Sequence, residues 1–97
     1  MELLDEDGYP TEEALEKIEN WDCKDFDGLI NFIKDIWWYQ YGWDDDSMIV
    51  KMSTGGWSGN EDIIRSMKNN IMWWSLYWFS SKRGGHYVFE RRNINFN

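Results

Sequence analysis

Two glycine-rich segments hold the residues whose types and spacing could bind an anion. The first, Ser53–Asp62 (STGGWSGNED), contains Trp57, Ser58, Gly59 and Asn60. It follows a predicted strand and opens a predicted helix, where backbone N–H groups without helical partners can bind a phosphate or carboxylate. Its glycines allow a ligand to approach the backbone closely. The segment is neither a P-loop nor a G-x-G-x-x-G motif, and its two acidic residues oppose a phosphate. A tight turn with a capping box is therefore the favoured interpretation, and a ligand-binding loop is the alternative.

The second segment, Lys82–Glu90 (KRGGHYVFE), adds Arg83 and His86. Together with the tryptophan, serine, glycine and asparagine of the first segment, they form the predicted binding site for a nucleotide-like anion. His86 is the only histidine of the sequence, so it is also the candidate general acid or base, with Glu90 or a serine as its partner. A structural or surface role for a single histidine is the simpler interpretation, and no catalytic residue is predicted.

A third group of residues could bind a protein. Trp43 directly precedes the acidic run Asp44, Asp45 and Asp46, and Trp38 lies five residues before Trp43. Exposed tryptophans often anchor interfaces, and the aspartates would complement a basic surface. The run lacks the alternating ligand spacing of an EF-hand loop, so no metal ion is expected there. These five residues are the predicted partner-binding surface.

The composition excludes several function classes. Aromatic residues make up 19% of the chain, including eight tryptophans, which is unlike a disordered segment. One cysteine, Cys23, allows no internal disulfide, which favours a cytoplasmic location. One histidine and one cysteine cannot form a His/Cys zinc site, and no cofactor is expected. No signal peptide or membrane span is predicted, because the N-terminus is acidic and the longest apolar run, residues 71–79, is too short.

The charge is divided unevenly along the chain. The formal net charge is −8, which argues against direct nucleic-acid binding because that depends on lysine and arginine. Residues 1–46 carry 15 acidic and 3 basic side chains, whereas residues 47–97 carry 3 acidic and 7 basic ones. The two parts therefore have net charges of −12 and +4, and could present opposite faces to a partner.

Two helices are predicted in the acidic half. Pro10 and Thr11 open the first, which runs to about residue 20 with one apolar stripe. Asp25 is a good N-cap for the second. The apolar residues of the second helix follow the helical period closely: Phe26, Leu29, Ile30, Ile33, Ile36 and Trp37.

The second half predicts a small sheet and one long helix. Strands are expected at about 38–43, 48–53 and 86–91, the first two as a hairpin. Ser58 and Glu61 fit a capping box that opens a helix over about 59–82, which places Trp74 and Trp78 with Trp37 in the core. The strand, helix and strand over 48–91 would form a β-α-β unit.

A helix of that length would separate the two glycine-rich segments by about 35 Å. They could then form one site only across a homodimer interface, or if the helix breaks, for which Asn69 and Asn70 offer a weak place. The predicted fold is a single α+β domain over residues 1–97, with two N-terminal helices, the small sheet and the long C-terminal helix.

Three stretches of the sequence resemble small proteins of phages and bacterial mobile elements: DGYPTEEALEKIENW, STGGWSGNEDII and RGGHYVFE. That resemblance implies an intracellular accessory setting and no catalytic residue. The first expectation is therefore a non-enzymatic binding protein, a phage-type inhibitor of a host defence protein that acts through its acidic, tryptophan-anchored surface. The alternative is a protein that sequesters a nucleotide-like anion at the glycine-rich segments. An enzyme dependent on His86 is the least favoured.

Overall fold

Four helices and a four-stranded antiparallel sheet make up the computed structural model, which describes residues 2–38, 42–46 and 48–92. The predicted α+β class is confirmed. The helices are α1 (Glu12–Glu19), α2 (Phe26–Ile36), α3 (Ser58–Asn69) and α4 (Ile71–Tyr77), and the strands are β1 (Trp43–Asp45), β2 (Ile49–Ser53), β3 (Trp78–Lys82) and β4 (His86–Glu90).

The first two helices begin where the sequence predicts. The hydroxyl of Thr11 accepts a hydrogen bond from the backbone N–H of Ala14 and caps α1. The carboxylate of Asp25 accepts one from the backbone N–H of Gly28 and caps α2. All five apolar residues predicted to line one face of α2 are buried, as is Trp37 directly after it.

The predicted continuous helix over 59–82 is wrong, because the helix is interrupted at Asn70 and ends at Tyr77. The buried Asn70 side chain donates from Nδ2 to the backbone oxygens of Ile18 and Trp21, both at 3.0 Å. Its Oδ1 accepts from the backbone N–H of Trp73 at 3.3 Å and caps α4. These bonds fix a second helix start beside the end of α1. After Tyr77 the chain is extended and forms β3. This strand was not predicted, because its residues continue the helical pattern of apolar side chains.

The capping box at the start of α3 is also wrong. Ser58 is already helical, and Trp57 holds the N-cap position without a side-chain hydrogen bond. The Ser58 hydroxyl instead donates to the Tyr9 hydroxyl at 3.3 Å. The Glu61 carboxylate accepts from the Thr54 hydroxyl at 3.5 Å. Tertiary partners thus take the groups that a local capping box would have used.

The strands lie in the order β1-β2-β4-β3, with every neighbouring pair antiparallel. The predicted β-α-β unit is therefore wrong, although the predicted strands at 48–53 and 86–91 and the hairpin pairing are confirmed. The strand expected at 38–43 begins only at Trp43 and continues into the aspartates, and Trp38 lies outside it. Residues 39–41 of that prediction lie outside the described residues.

The helices pack against one face of the sheet. Val50, Met52 and Phe89 point into a core shared with all four helices. Trp73 is fully buried there, against Phe26 and Phe89. Because the helix breaks at Asn70, the residues of α4 face different directions from those expected for one continuous helix. The expected set of core residues is therefore wrong in this region.

Of the two tryptophans predicted to be buried on that helix, Trp74 is only partly buried and Trp78 is 40% exposed. Ile71, on the same predicted stripe, is 71% exposed. The side chains that α4 buries are instead Trp73 and Tyr77.

Candidate functional site

The sheet's outer face, away from the helices, is where the two glycine-rich segments meet. Successive residues of a strand point to opposite faces, so Lys51 and Ser53 of β2 point outward while Val50 and Met52 point into the core. On β4, His86 is outward and Phe89 is inward. The register places Ser53 beside His86.

The contact between the segments is close. The backbone N–H of Thr54 donates to the Gly85 oxygen at 3.0 Å. A Cβ at Gly85 would lie 2.2 Å from the Thr54 hydroxyl oxygen, so only glycine permits this approach. The expectation that these segments lie at opposite ends of one helix is therefore wrong. The break at Asn70 and the antiparallel return of β3 and β4 bring them together within one chain.

Basic and hydroxyl side chains converge on a surface groove of about 550 Å³ in this outer face, which we call the outer groove. Its polar lining residues are Lys51, Ser53, Ser80, Lys82 and His86. None of its described lining residues is acidic, although the chain as a whole carries a net charge of −8. The arrangement can hold a small anion.

Of the six residues predicted to bind a ligand, only His86 lines the outer groove. Arg83 lies in the exposed turn between β3 and β4. Trp57 packs instead between Tyr9 and Trp38, with ring centroids at 4.5 and 4.8 Å. In the first glycine-rich segment, Ser53 lines the groove, whereas Trp57 packs against other aromatic rings.

Three of the other predicted ligand residues have structural contacts. Asn60 is fully buried, accepts from the Trp38 backbone N–H and donates to the Thr54 backbone oxygen. Gly59 is buried where a Cβ would lie 2.6 Å from the indole nitrogen of Trp57. Ser58 remains exposed beside Tyr9. These contacts anchor the loop to the N-terminal segment and to the end of α2.

His86 has a serine partner. Ser53 Oγ and His86 Nδ1 lie 2.7 Å apart, which is hydrogen-bond distance. Glu90, the other partner considered from the sequence, is two outward positions further along β4, about 13 Å away and beyond reach. No described carboxylate hydrogen-bonds to the imidazole, so the pair lacks the third group that orients a catalytic histidine.

A second site lies beside β1, at one edge of the sheet. A pocket of about 200 Å³, which we call the acidic pocket, is lined by Lys34, Trp37, Trp43, Asp44 and Asp45. Three of these residues belong to the predicted partner-binding surface. The rings of Trp37 and Trp43 meet edge to face, with centroids 5.8 Å apart. The buried indole N–H groups of both tryptophans have no hydrogen-bond partner among the described residues.

The other two predicted partner-binding residues adjoin this pocket without lining it. Asp46 accepts hydrogen bonds from the backbone N–H groups of Met48 and Ile49, both at 2.8 Å, and these bonds lower the pKa of its carboxyl group. Trp38 is 56% exposed and packs against Trp57 rather than Trp43. All three aspartates are exposed, so their negative charge faces solvent.

Sequence reasoning missed most of the outer groove. Ser80 and Lys82 were assigned to a helix, so nothing placed them opposite β4. Lys51 and Ser53 could have been found, because they alternate with apolar residues on a strand that was predicted. Lys34 and Trp37 of the acidic pocket were missed because they belong to the predicted second helix and to its end.

In the part of the chain that the structure describes, no three His, Cys, Asp or Glu side chains are grouped to hold a metal ion. Within the same residues, no helix has the length and apolar character needed to cross a membrane. Comparisons of the chain with protein-family models, with curated proteins and with solved structures found no match. The site geometry is therefore the basis of the functional proposals that follow.

Proposed function

We propose that this protein is a non-enzymatic binding protein that recognises a basic segment of a partner protein at the acidic pocket. The observation that carries the proposal is the pocket itself: two aromatic walls and two carboxylates at the exposed sheet edge. A lysine or arginine side chain is attracted both by carboxylates and by the face of a tryptophan ring.

The unpartnered indole groups favour a peptide over a simple cation. A buried N–H group without an acceptor is costly, and a peptide carbonyl would satisfy one if the pocket walls move apart on binding. A basic peptide supplies both chemistries, because it carries cationic side chains and carbonyl oxygens together. Lys34 also lines the pocket, but the carboxylates of Asp44 and Asp45 outnumber this one cation. The net charge of the pocket is therefore negative.

The wider charge distribution supports the same partner. The segment that supplies α1, α2 and β1 carries a net charge of −12, which would steer a basic surface toward this edge. The resemblance to phage and mobile-element proteins favours a host protein as the partner, and inhibition of that protein as the outcome.

The test uses fluorescently labelled ten-residue peptides rich in lysine, in arginine or in glutamate, with binding followed by anisotropy. The basic peptides are expected to bind and the acidic peptide is not. Asp44→Asn with Asp45→Asn should weaken binding of a basic peptide roughly tenfold, because two charge-assisted contacts are lost.

The matched control removes two exposed carboxylates of α1, by Glu12→Gln with Glu16→Gln. That variant has the same net charge as the double aspartate variant, but should bind the peptide within about twofold of the natural chain. Equal weakening in both variants would mean that only net charge matters, and would overturn the proposal. Failure of every basic peptide to bind at low salt would overturn it as well.

A further inference from the structure

We propose that the outer groove binds a small anion built like a nucleoside monophosphate, with its phosphoryl group on the basic row at the β3–β4 turn and its ring on the apolar side chains further along. This site is separate from the acidic pocket and does not depend on the proposed protein binding.

The basic row runs across three strands. The register aligns Ser53 of β2, His86 of β4 and Lys82 of β3. Lys51 points outward two residues before Ser53, opposite Val88 and about 7 Å from the turn end of the groove. Neither lysine forms an ion pair within 4 Å or a hydrogen bond with another described residue. Lys51 also attracts the Asp46 carboxylate at longer range, so Lys82 is the less engaged of the two cations.

The Ser53–His86 pair supplies a donor whichever way its hydrogen bond runs. A neutral imidazole carries one N–H group and the serine one O–H group, and their mutual bond uses one of these two donors. The other remains for a phosphate oxygen. Two ammonium groups and this donor make a site for one phosphoryl group.

The other end of the groove is apolar. Ile49, Val88 and Phe79 line it, and the Phe79 side chain is 57% exposed. A β-bulge between Trp78 and Ser80 presents this phenylalanine outward. Aromatic side chains of this kind stack on bases, and the stacking tolerates different bases.

The acidic residues of the same face fix the orientation. Glu90 pairs with Ile49 at the apolar end, where it would repel a phosphate. Asp44 is opposite Lys51 in the register, but forms no described ion pair with it and lines the acidic pocket instead. The phosphoryl group therefore belongs at the turn end. The two ends are about 13 Å apart along the strands, which suits a mononucleotide.

The experiment is isothermal titration calorimetry of the full chain with AMP, inorganic phosphate and adenosine. AMP is expected to bind with a Kd below about 1 mM, and phosphate and adenosine at least tenfold more weakly, because each fills half of the groove. No heat of binding from AMP at millimolar concentrations would overturn the proposal.

Variants separate the two halves of the groove. Lys51→Gln with Lys82→Gln should weaken AMP binding roughly a hundredfold, about tenfold for each lysine. Phe79→Ala should weaken AMP without changing phosphate binding. The matched control is Arg65→Gln, which removes an exposed cation on α3 and should leave AMP binding unchanged.

Three further results would contradict the site. AMP binding that survives the double lysine variant would place the nucleotide elsewhere. Phosphate binding as tight as AMP binding would remove the role of the apolar end. Tighter binding of a ten-nucleotide single-stranded DNA than of AMP would indicate a nucleic-acid surface instead. Urea unfolding of each variant is the control that tests whether the variant still folds.

Discussion

At the scale of single residues, the contact between Thr54 and Gly85 joins the two glycine-rich segments. Gly85 has a φ of +79°, a region in which side chains are disfavoured, and it touches a buried threonine. Gly56 has a similar φ of +76°, but nothing lies within 4 Å of where its Cβ would be. The two glycines therefore have nearly the same φ and differ in steric contact.

Alanine substitution separates these two effects. Gly56→Ala should lower the free energy of unfolding by about 1 kcal/mol, from backbone strain alone. Gly85→Ala should lower it by about 3 kcal/mol, because the added Cβ must also displace the Thr54 side chain. Urea unfolding of the two variants measures the difference. Equal losses would show that the close approach of the two segments does not constrain the fold.

Asp46, in the turn between β1 and β2, should make the stability of the fold depend on pH. Backbone N–H groups of Met48 and Ile49 lower the pKa of its carboxyl group from the ordinary value of 3.8. The ionised carboxylate therefore stabilises the folded state above that value, and this stabilisation is lost as the pH falls through the lowered pKa.

Thermal unfolding of the natural chain and of Asp46→Asn, from pH 7 down to pH 3, tests this dependence. The natural chain should have the higher Tm at pH 7, and the difference should narrow on acidification. A Tm difference that stays constant over this range would mean that the two hydrogen bonds do not discriminate between the charged and neutral carboxyl group.

At the scale of elements, one asparagine determines the second half of the fold. Asn70 ends α3, caps α4 and binds two backbone oxygens at the end of α1. Asn70→Ala should lower the free energy of unfolding by about 3 kcal/mol, because it removes the cap of α4 and two buried or partly buried hydrogen bonds to backbone oxygens at the end of α1.

Asn69→Ala provides the matched control. Asn69 is exposed, and the one described hydrogen bond of its side chain, to the Glu19 carboxylate, is long at 3.4 Å. Its loss should cost less than about 0.5 kcal/mol. Chemical denaturation of both variants gives the comparison. A loss at Asn70 no larger than that at Asn69 would contradict the role of Asn70 as the determinant of the break.

The elements that the sequence predicts well are those with strong local signals. Thr11 and Asp25 cap α1 and α2, and the period of α2 defines its buried face. The break at Asn70 has only a weak local signal, the asparagine pair itself, because two of the three partners of its side chain are backbone atoms about fifty residues earlier. The residues after it continue the apolar pattern, so β3 could not be distinguished from helix by periodicity.

At the scale of the whole molecule, the uneven charge of the chain becomes two distinct surfaces. The acidic half supplies Asp44 and Asp45 of the acidic pocket, whereas the basic half supplies both lysines of the outer groove. The acidic residues were predictable because they are adjacent in sequence. The groove was not, because its residues come from three strands, one of which was assigned to a helix.

The most direct test of binding at the acidic pocket is a ¹H–¹⁵N NMR titration of the indole N–H signals with the lysine-rich peptide. The signals of Trp37 and Trp43, assigned through Trp→Phe variants, should shift as these unpartnered groups gain acceptors. In the variant with Asp44→Asn and Asp45→Asn, the same shifts should need a peptide concentration about tenfold higher. Peptide binding that reaches saturation without moving either signal in the natural chain would contradict the account.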